Sequence, residues 1–236
     1  MPNTMTASNP AIARLVERQM RNWELARQQR SASQPTVEKR VEDFVCVSRQ
    51  VGTEGQEVAR ELGEKLGCPV FDREILDAMA GDDLVRRQVY ASMDQRDLTW
   101  WEETLRSLMQ SEFVRNDYFN KLSETILSLA RQGRCVFLGR GADLLLPDDV
   151  GLRVRLVAPI AVRAARVAAV HQLTLTEAQD WIRRIEIERQ RFFHRHFGVE
   201  IEDPVRFDLI VNLSRLSVDE AVAMILQARS IHRPAD

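Results

Sequence analysis

Ten consecutive residues, Ser48-Arg49-Gln50-Val51-Gly52-Thr53-Glu54-Gly55-Gln56-Glu57, have the make-up of an anion-binding turn. The apolar run FVCVS (44–48) leads into them, and a helical pattern from Gln56 to Leu66 follows. Gly52 and Gly55 allow backbone N–H groups to turn inward, and a helix start favours negative charge. The chemistry such a turn serves is the holding of phosphate groups. The segment departs from the lysine-containing pattern GxxxxGK followed by Ser or Thr. Gly55 stands at the lysine position and Glu57 at the position of the magnesium-binding hydroxyl. Taken alone, a plain strand–turn–helix connection explains the same residues.

The ends of four further apolar runs carry polar groups. Asp72 and Arg73 close CPVFD (68–72), and Gly139-Arg140-Gly141 ends CVFLG (135–139). Arg163 and Arg166 lie on the helical pattern after LRVRLVA (152–158), and Asn212-Leu213-Ser214-Arg215 ends DLIVN (208–212). Each fits an ordinary surface singly; their joint occurrence after strands points to a ligand. Strand and helix patterns alternate along the chain, which argues for a parallel sheet with helices on both faces. The short, nearly all-apolar strands suit a sheet buried on both sides. Ligands of such sheets sit beyond the carboxyl ends of the strands.

The positioning elements follow from periodicity. Residues 1–9 read as a disordered tail, 10–30 as an amphipathic helix through Ile12, Leu15, Val16, Met20, Trp23 and Ala26, and 31–36 as a Ser/Pro linker. We therefore expect an N-terminal appendage over 1–38 and one main domain over 39–230. Helical periodicity continues over Arg73–Ala80, across 83–132 with Trp100 and Trp101, over Pro159–Val170 and from Thr176 to about His196. Ser217 with Glu220 forms a capping box before the last helix.

Net charge is 33 − 35 = −2, which gives no general argument for nucleic-acid or anionic-membrane binding. Lys39, Lys65 and Lys121 are the lysines, so 33 − 3 = 30 basic residues are arginine. Arginine presents a planar fork to phosphates, although genomic base composition explains such a skew as well. Cys46, Cys68 and Cys135 form no metal spacing and read as reduced core thiols of a cytoplasmic protein. No run approaches the roughly 20 apolar residues of a membrane span.

The segments VSRQVGTEGQEVARELGEKLGCPVFDREIL, CVFLGRGAD, LRVRLVAPIAVRAARV, IEIERQRFFHRHFG and FDLIVNLSRLSVDEAV, taken in order, resemble the cytidylate kinase-like family over roughly residues 42–228. The resemblance implies an α/β, three-layer P-loop kinase-like fold. It would hold a five-stranded parallel sheet with helices on both faces, a helical acceptor-binding insert about 73–134 and a helical lid about 170–200. It implies transfer of the ATP γ-phosphoryl group, with Mg2+, to CMP, dCMP or a similar small phosphoryl acceptor. Gly52, Thr53, Glu54, Gly55, Gln56 and Glu57 would wrap the ATP phosphates, and Asn212 and Ser214 would lie against the adenine. Asp72, Arg140 and Arg166 would bind the acceptor, and Arg140 and Arg189 would stabilise transfer; where the loop departs from the family pattern, Arg49 would compensate by folding back over it and Glu57 would reach the metal through water. Glu186 and Arg189 look like the acidic–basic pair of the lid.

The missing lysine leaves a second reading, a nucleotide-binding regulator without catalysis that uses its N-terminal helix as a partner-binding arm. The partners implied are small-molecule nucleotides, not nucleic acid or membrane. The N-terminal helix allows for a homo-oligomer or a protein partner.

Overall fold

Alternation along the strands sets the architecture. In β1 (Phe44–Arg49), Phe44 and Cys46 join the core on one face and Val45 and Val47 the core on the other, the period-two consequence of an extended chain. β3 (Cys135–Leu138) divides the same way, Cys135 and Phe137 against Val136 and Leu138. With β2 (Val70–Phe71), β4 (Leu152–Val157) and β5 (Leu209–Asn212) these form a five-stranded sheet in the order β2-β3-β1-β4-β5. Every neighbouring pair is parallel, with Cys46 opposite Phe137 on one side and Arg153 on the other. The computed structural model describes residues 41, 43–81 and 117–232. The expected N-terminal helix, Trp100 and Trp101 lie outside them.

Helices α1 (Gly55–Leu66) and α7 (Val218–His232) cover one face, where Val58, Leu62, Val222 and Ile225 pack on Val45, Val136 and Val154. Helices α2 (Arg73–Gly81) and α3 (Asp117–Arg131) cover the other, where Leu76, Met79, Phe119 and Ile126 meet Phe44, Phe71 and Phe137. Each such side chain, fully buried, contributes about 1.5–3 kcal/mol of transfer free energy. A short helix, α4 (Ala142–Leu145), and a 3-10 turn, Pro204–Arg206, were not foreseen. Helices α5 (Ile160–His171) and α6 (Leu175–Phe197) pack together through Ala164, Val167, Ala178 and Ile182, with Val51 wedged against them.

Caps mark the helix ends. Thr174 and Glu177 exchange hydrogen bonds in a capping box that opens α6, and Gly198 closes it in the left-handed conformation. Ser217 and Glu220 open α7 in the same manner.

One expectation needs correction. β4 is not apolar on both faces: Leu152, Val154 and Leu156 enter the core, while Arg153 and Arg155 are buried on the opposite face. Arg153 is tolerated there because it donates to the carbonyls of Asp143, Leu146, Pro147 and Val150. Arg155 donates to Ser48 Oγ at 2.8 Å and lies 5.5 Å from the Phe207 ring centroid.

Candidate active site

The turn after β1 is held by its own neighbours through its first half. Gln50 N–H continues the ladder to the Leu156 carbonyl at 3.0 Å, and the Gln50 side-chain oxygen accepts from Ala158 N–H at 3.1 Å. Buried Thr53 donates its hydroxyl to the Gln50 carbonyl at 2.8 Å. The second half is different. From Gly52 to Glu57 no backbone N–H donates to another described residue, and four such donors belong to any helix start. Gly52 sits at φ 83° and Glu54 at φ 53°, so the chain turns twice through left-handed space before α1 begins. The Glu54 carboxylate turns to Arg166 at 2.6 Å, and Arg166 also donates to the Leu213 carbonyl at 2.8 Å.

Arg49 crosses this turn. A Cβ on Gly55 would come within 2.6 Å of Arg49 Cδ, and one on Gly139 within 2.7 Å of Arg49 Nη1. The guanidinium therefore runs from the second glycine of the turn to the glycine after β3, and both positions need glycine to admit it. Among the described residues no carboxylate forms an ion pair with it. Burial pushes its pKa down to about 9, reinforced by Arg189 and Arg73 and opposed by Asp72.

Beyond β3 the backbone stays left-handed for three residues, with φ of 83° at Gly139, 58° at Arg140 and 70° at Gly141. An L-residue pays about 1–2 kcal/mol for that conformation, a cost seen at functional sites. The distortion carries Arg140 into a nest of side chains from three helices. Its Nη2 pairs with Asp77 of α2, and its guanidinium lies 5.1 Å from the Phe192 ring centroid of α6 and 5.9 Å from that of Tyr118 in α3. The Tyr118 hydroxyl donates to the other Asp77 oxygen at 2.6 Å. Burial, then that hydrogen bond, pushes the phenol well above its ordinary range.

Helix α6 reaches over the cluster. Arg189 donates to the Arg49 carbonyl at 3.0 Å. Burial lowers its pKa; Glu186 opposes that shift, while Arg73, Arg155 and Arg140 add to it. Phe197 occupies the space that a Cβ on Gly141 would need, with a ring carbon 2.4 Å away. His196 stacks on Phe119 at 4.8 Å between centroids, and burial, Arg195 and Arg140 hold its pKa down. A cavity of about 460 Å³ opens between α6 and the ends of β1 and β4, lined in part by Arg49, Gln50, Arg155, Arg183, Glu186 and Arg189.

The structure thus gathers Arg49, Arg140 and Arg189 with the Gly52–Glu57 turn. Asp72 is beside them, and one of its carboxylate oxygens accepts from Ile75 N–H at 3.0 Å, capping α2. Arg166 stands apart from Asp72 and Arg140, with Glu54 and Leu213. Asn212 accepts from Ser214 N–H at 3.0 Å within its own turn, and Glu57 is exposed in the first turn of α1. Glu186 pairs with Arg163 at 2.6 Å rather than with Arg189. Sequence reading overlooked Asp77 and Tyr118. The spacing of Arg73 and Asp77, four apart on one helix face, was a signal for the first; nothing local marks the second.

A parallel sheet in this order, with a glycine turn after its central strand and arginines at its carboxyl end, defines an α/β protein of the P-loop kinase-like class. The match to the model of the cytidylate kinase-like family, over residues 44–215, identifies the chain as a member of that family. A cytidylate kinase of Pyrobaculum aerophilum is 26% identical over 187 residues, 77% of this chain and 90% of the relative. One from Pyrococcus horikoshii is 31% identical over 102 residues, 43% of this chain; the match spans about half, 53%, of that relative's length. The crystal structure of an uncharacterized protein from Eubacterium ventriosum shares the fold with a TM-score of 0.65 at 18% identity, covering 80% of this chain and 99% of the other. No described helix is long and apolar enough to cross a membrane.

Proposed function

We propose that the protein is a phosphotransferase that moves the γ-phosphoryl group of ATP to CMP, dCMP or a similar small phosphoryl acceptor. The observation that carries this reading is Arg49, a guanidinium without a carboxylate partner among the described residues, lying between the Gly52–Glu57 turn and Arg140. Phosphoryl transfer asks little covalent chemistry of a protein; it asks for position and for positive charge around the transferring group. The backbone N–H groups from Gly52 to Glu57 receive the ATP phosphates, and Arg49 supplies the cation that a lysine supplies in the usual loop. Arg140, turned by its two glycines, forks onto the acceptor phosphate, and Asp77 with Tyr118 holds it in place. Asp72 faces the acceptor, Arg166 ties the ATP turn to the Asn212–Ser214 segment beside the base, and Arg189 covers the phosphates from α6. An acceptor oxygen forms a bond to the γ-phosphorus, the bond to the ADP oxygen breaks, and ADP leaves with the electron pair.

Among the described residues no His, Cys, Asp and Glu side chains cluster in threes as a metal cage. Glu57, exposed in the first turn of α1, would reach through water a magnesium ion held mainly by the phosphates of the nucleotide. When bound, the ion draws charge from the phosphates.

The test is ADP formation measured with ATP, Mg2+ and a panel of nucleoside monophosphates. Turnover with CMP or another acceptor is the expected result. Binding of ATP without turnover on any acceptor would overturn it in favour of the second reading, a nucleotide-binding regulator. The absent lysine and the exposed Glu57 at the hydroxyl position favour that reading.

A further inference from the structure

One ion pair grips both polar groups of a single residue in the turn. The Val51 N–H donates to Glu186 Oε1 at 3.3 Å, and the Val51 carbonyl accepts from Arg163 Nη1 at 3.2 Å. The same Arg163 nitrogen and the same Glu186 oxygen meet each other at 2.6 Å. Arg163 is further fixed by donating Nε to the Ala158 carbonyl at 2.9 Å, and its own backbone bounds Gly52, where a Cβ would lie 2.9 Å from the Arg163 carbonyl. Arg163 belongs to α5 and Glu186 to α6, so two helices close on the turn from outside. Arg163 is not aimed at the Arg49–Arg140 cluster: it is buried, and its partners are backbone carbonyls and Glu186, which also borders the cavity beside Arg189.

In loops that carry a lysine, the ammonium spans turn and phosphates. Here the cation, Arg49, comes from the strand before the turn rather than from the turn, so the orientation of the turn's own amides must come from other contacts. We infer that Arg163 and Glu186 are positioning residues that fix the Val51 peptide, and with it the direction of the Gly52–Glu57 N–H groups, before any phosphate arrives. The inference rests on the phosphotransferase reading for its effect on catalysis but not for the clamp. Removing the pair frees the peptide to rotate, so the amides no longer converge and the donor phosphates lose affinity. The acceptor side, held by Asp77 and Tyr118, is unaffected.

Two variants make the test. Glu186→Gln keeps an oxygen facing Val51 but removes the charge that holds Arg163. The double variant Arg163→Met, Glu186→Leu removes both charges together and leaves no buried ion without a partner, which guards against simple misfolding. In the double variant, amide hydrogen exchange at Val51, whose N–H loses its acceptor, should quicken at least tenfold, with the exchange of β1 and β3 unchanged. The apparent affinity for ATP should fall about tenfold in Glu186→Gln and more in the double variant, while KM for the acceptor stays within twofold. A folded double variant with wild-type exchange at Val51 and wild-type ATP affinity overturns the inference. If the wild-type protein neither binds nor turns over ATP, the phosphotransferase reading fails, and the exchange comparison still decides the clamp.

Discussion

Burial disfavours the charge on Arg49. Folding lowers its pKa from the ordinary arginine range to about 9, chiefly through burial. Between those values the unfolded chain binds more protons than the folded one, so this group makes stability rise with pH through that window; below it, the full penalty stands. Arg49→Met should therefore melt at or above the wild-type temperature at pH 7, and the wild type should gain on it as pH passes 9. The measurement is a paired thermal scan from pH 7 to pH 10. The same variant should lose about 10²–10³ in kcat, the loss found when one preorganised donor is removed from a transition-state site. Arg49→Lys should recover part of it. Retention of full turnover by Arg49→Met would remove Arg49 from the proposed mechanism.

Glycines define the site as strictly as the arginines. Gly139→Ala places a methyl 2.7 Å from Arg49 Nη1, the mobile end of a long side chain, at φ 83°. Gly141→Ala places one 2.4 Å from a Phe197 ring carbon, inside a packed aromatic group, at φ 70°. Both should lose about 1–3 kcal/mol from backbone strain, and Gly141→Ala should lose more because a ring must move. Denaturant midpoints at unchanged slope measure this order. Gly139→Ala should lose activity out of proportion to its stability, since it displaces Arg49.

At the scale of elements, α6 acts as more than a cover. Glu186 and Arg189 bond the turn after β1, and Phe192, His196 and Phe197 pack into the α3 and Arg140 cluster. One helix thus joins the proposed donor and acceptor halves. Its N-terminus is remote from both and is fixed by the Thr174–Glu177 box. Thr174→Ala should cost about 1 kcal/mol of stability, a typical capping loss, with kcat unchanged. Urea denaturation and the coupled assay together check it. A fall in kcat would show that the far end of α6 also feels the site.

At the scale of the molecule, the sheet gives the site its place. The order β2-β3-β1-β4-β5 puts the turn after β1 beside the turn after β3 on one side and the start of α5 on the other. One carboxyl edge therefore holds the arginines from four different chain segments. Such a concentration of like charge favours a polyanionic ligand that binds only the folded state. ATP held at a hundred times its dissociation constant should add about 2.7 kcal/mol. For a domain of this size that corresponds to roughly 5–10 °C in Tm. The rise should shrink with added salt. No shift with ATP and Mg2+ at low salt would count against nucleotide binding.

Several features could be read from residue order alone, because they depend on contacts near in sequence. Alternation in FVCVSR and CVFL marks buried strands, Gly67 and Ser217 with Glu220 mark helix ends, and the glycines between Gly52 and Gly55 mark the turn from strand into helix. Groupings across the chain could not be read this way. LRVRLV looks like any buried strand until Phe44, Leu146 and Ser48 are seen to receive its arginines. Glu186 looked like a partner for Arg189 on helical spacing, but the packing of α5 on α6 delivers Arg163 first. Asp77 and Arg140 are 63 residues apart and meet only because α2 folds beside the end of β3. Local spacing fixes which face a side chain takes; only the closing of the sheet and its helices decides which distant charge it finds there.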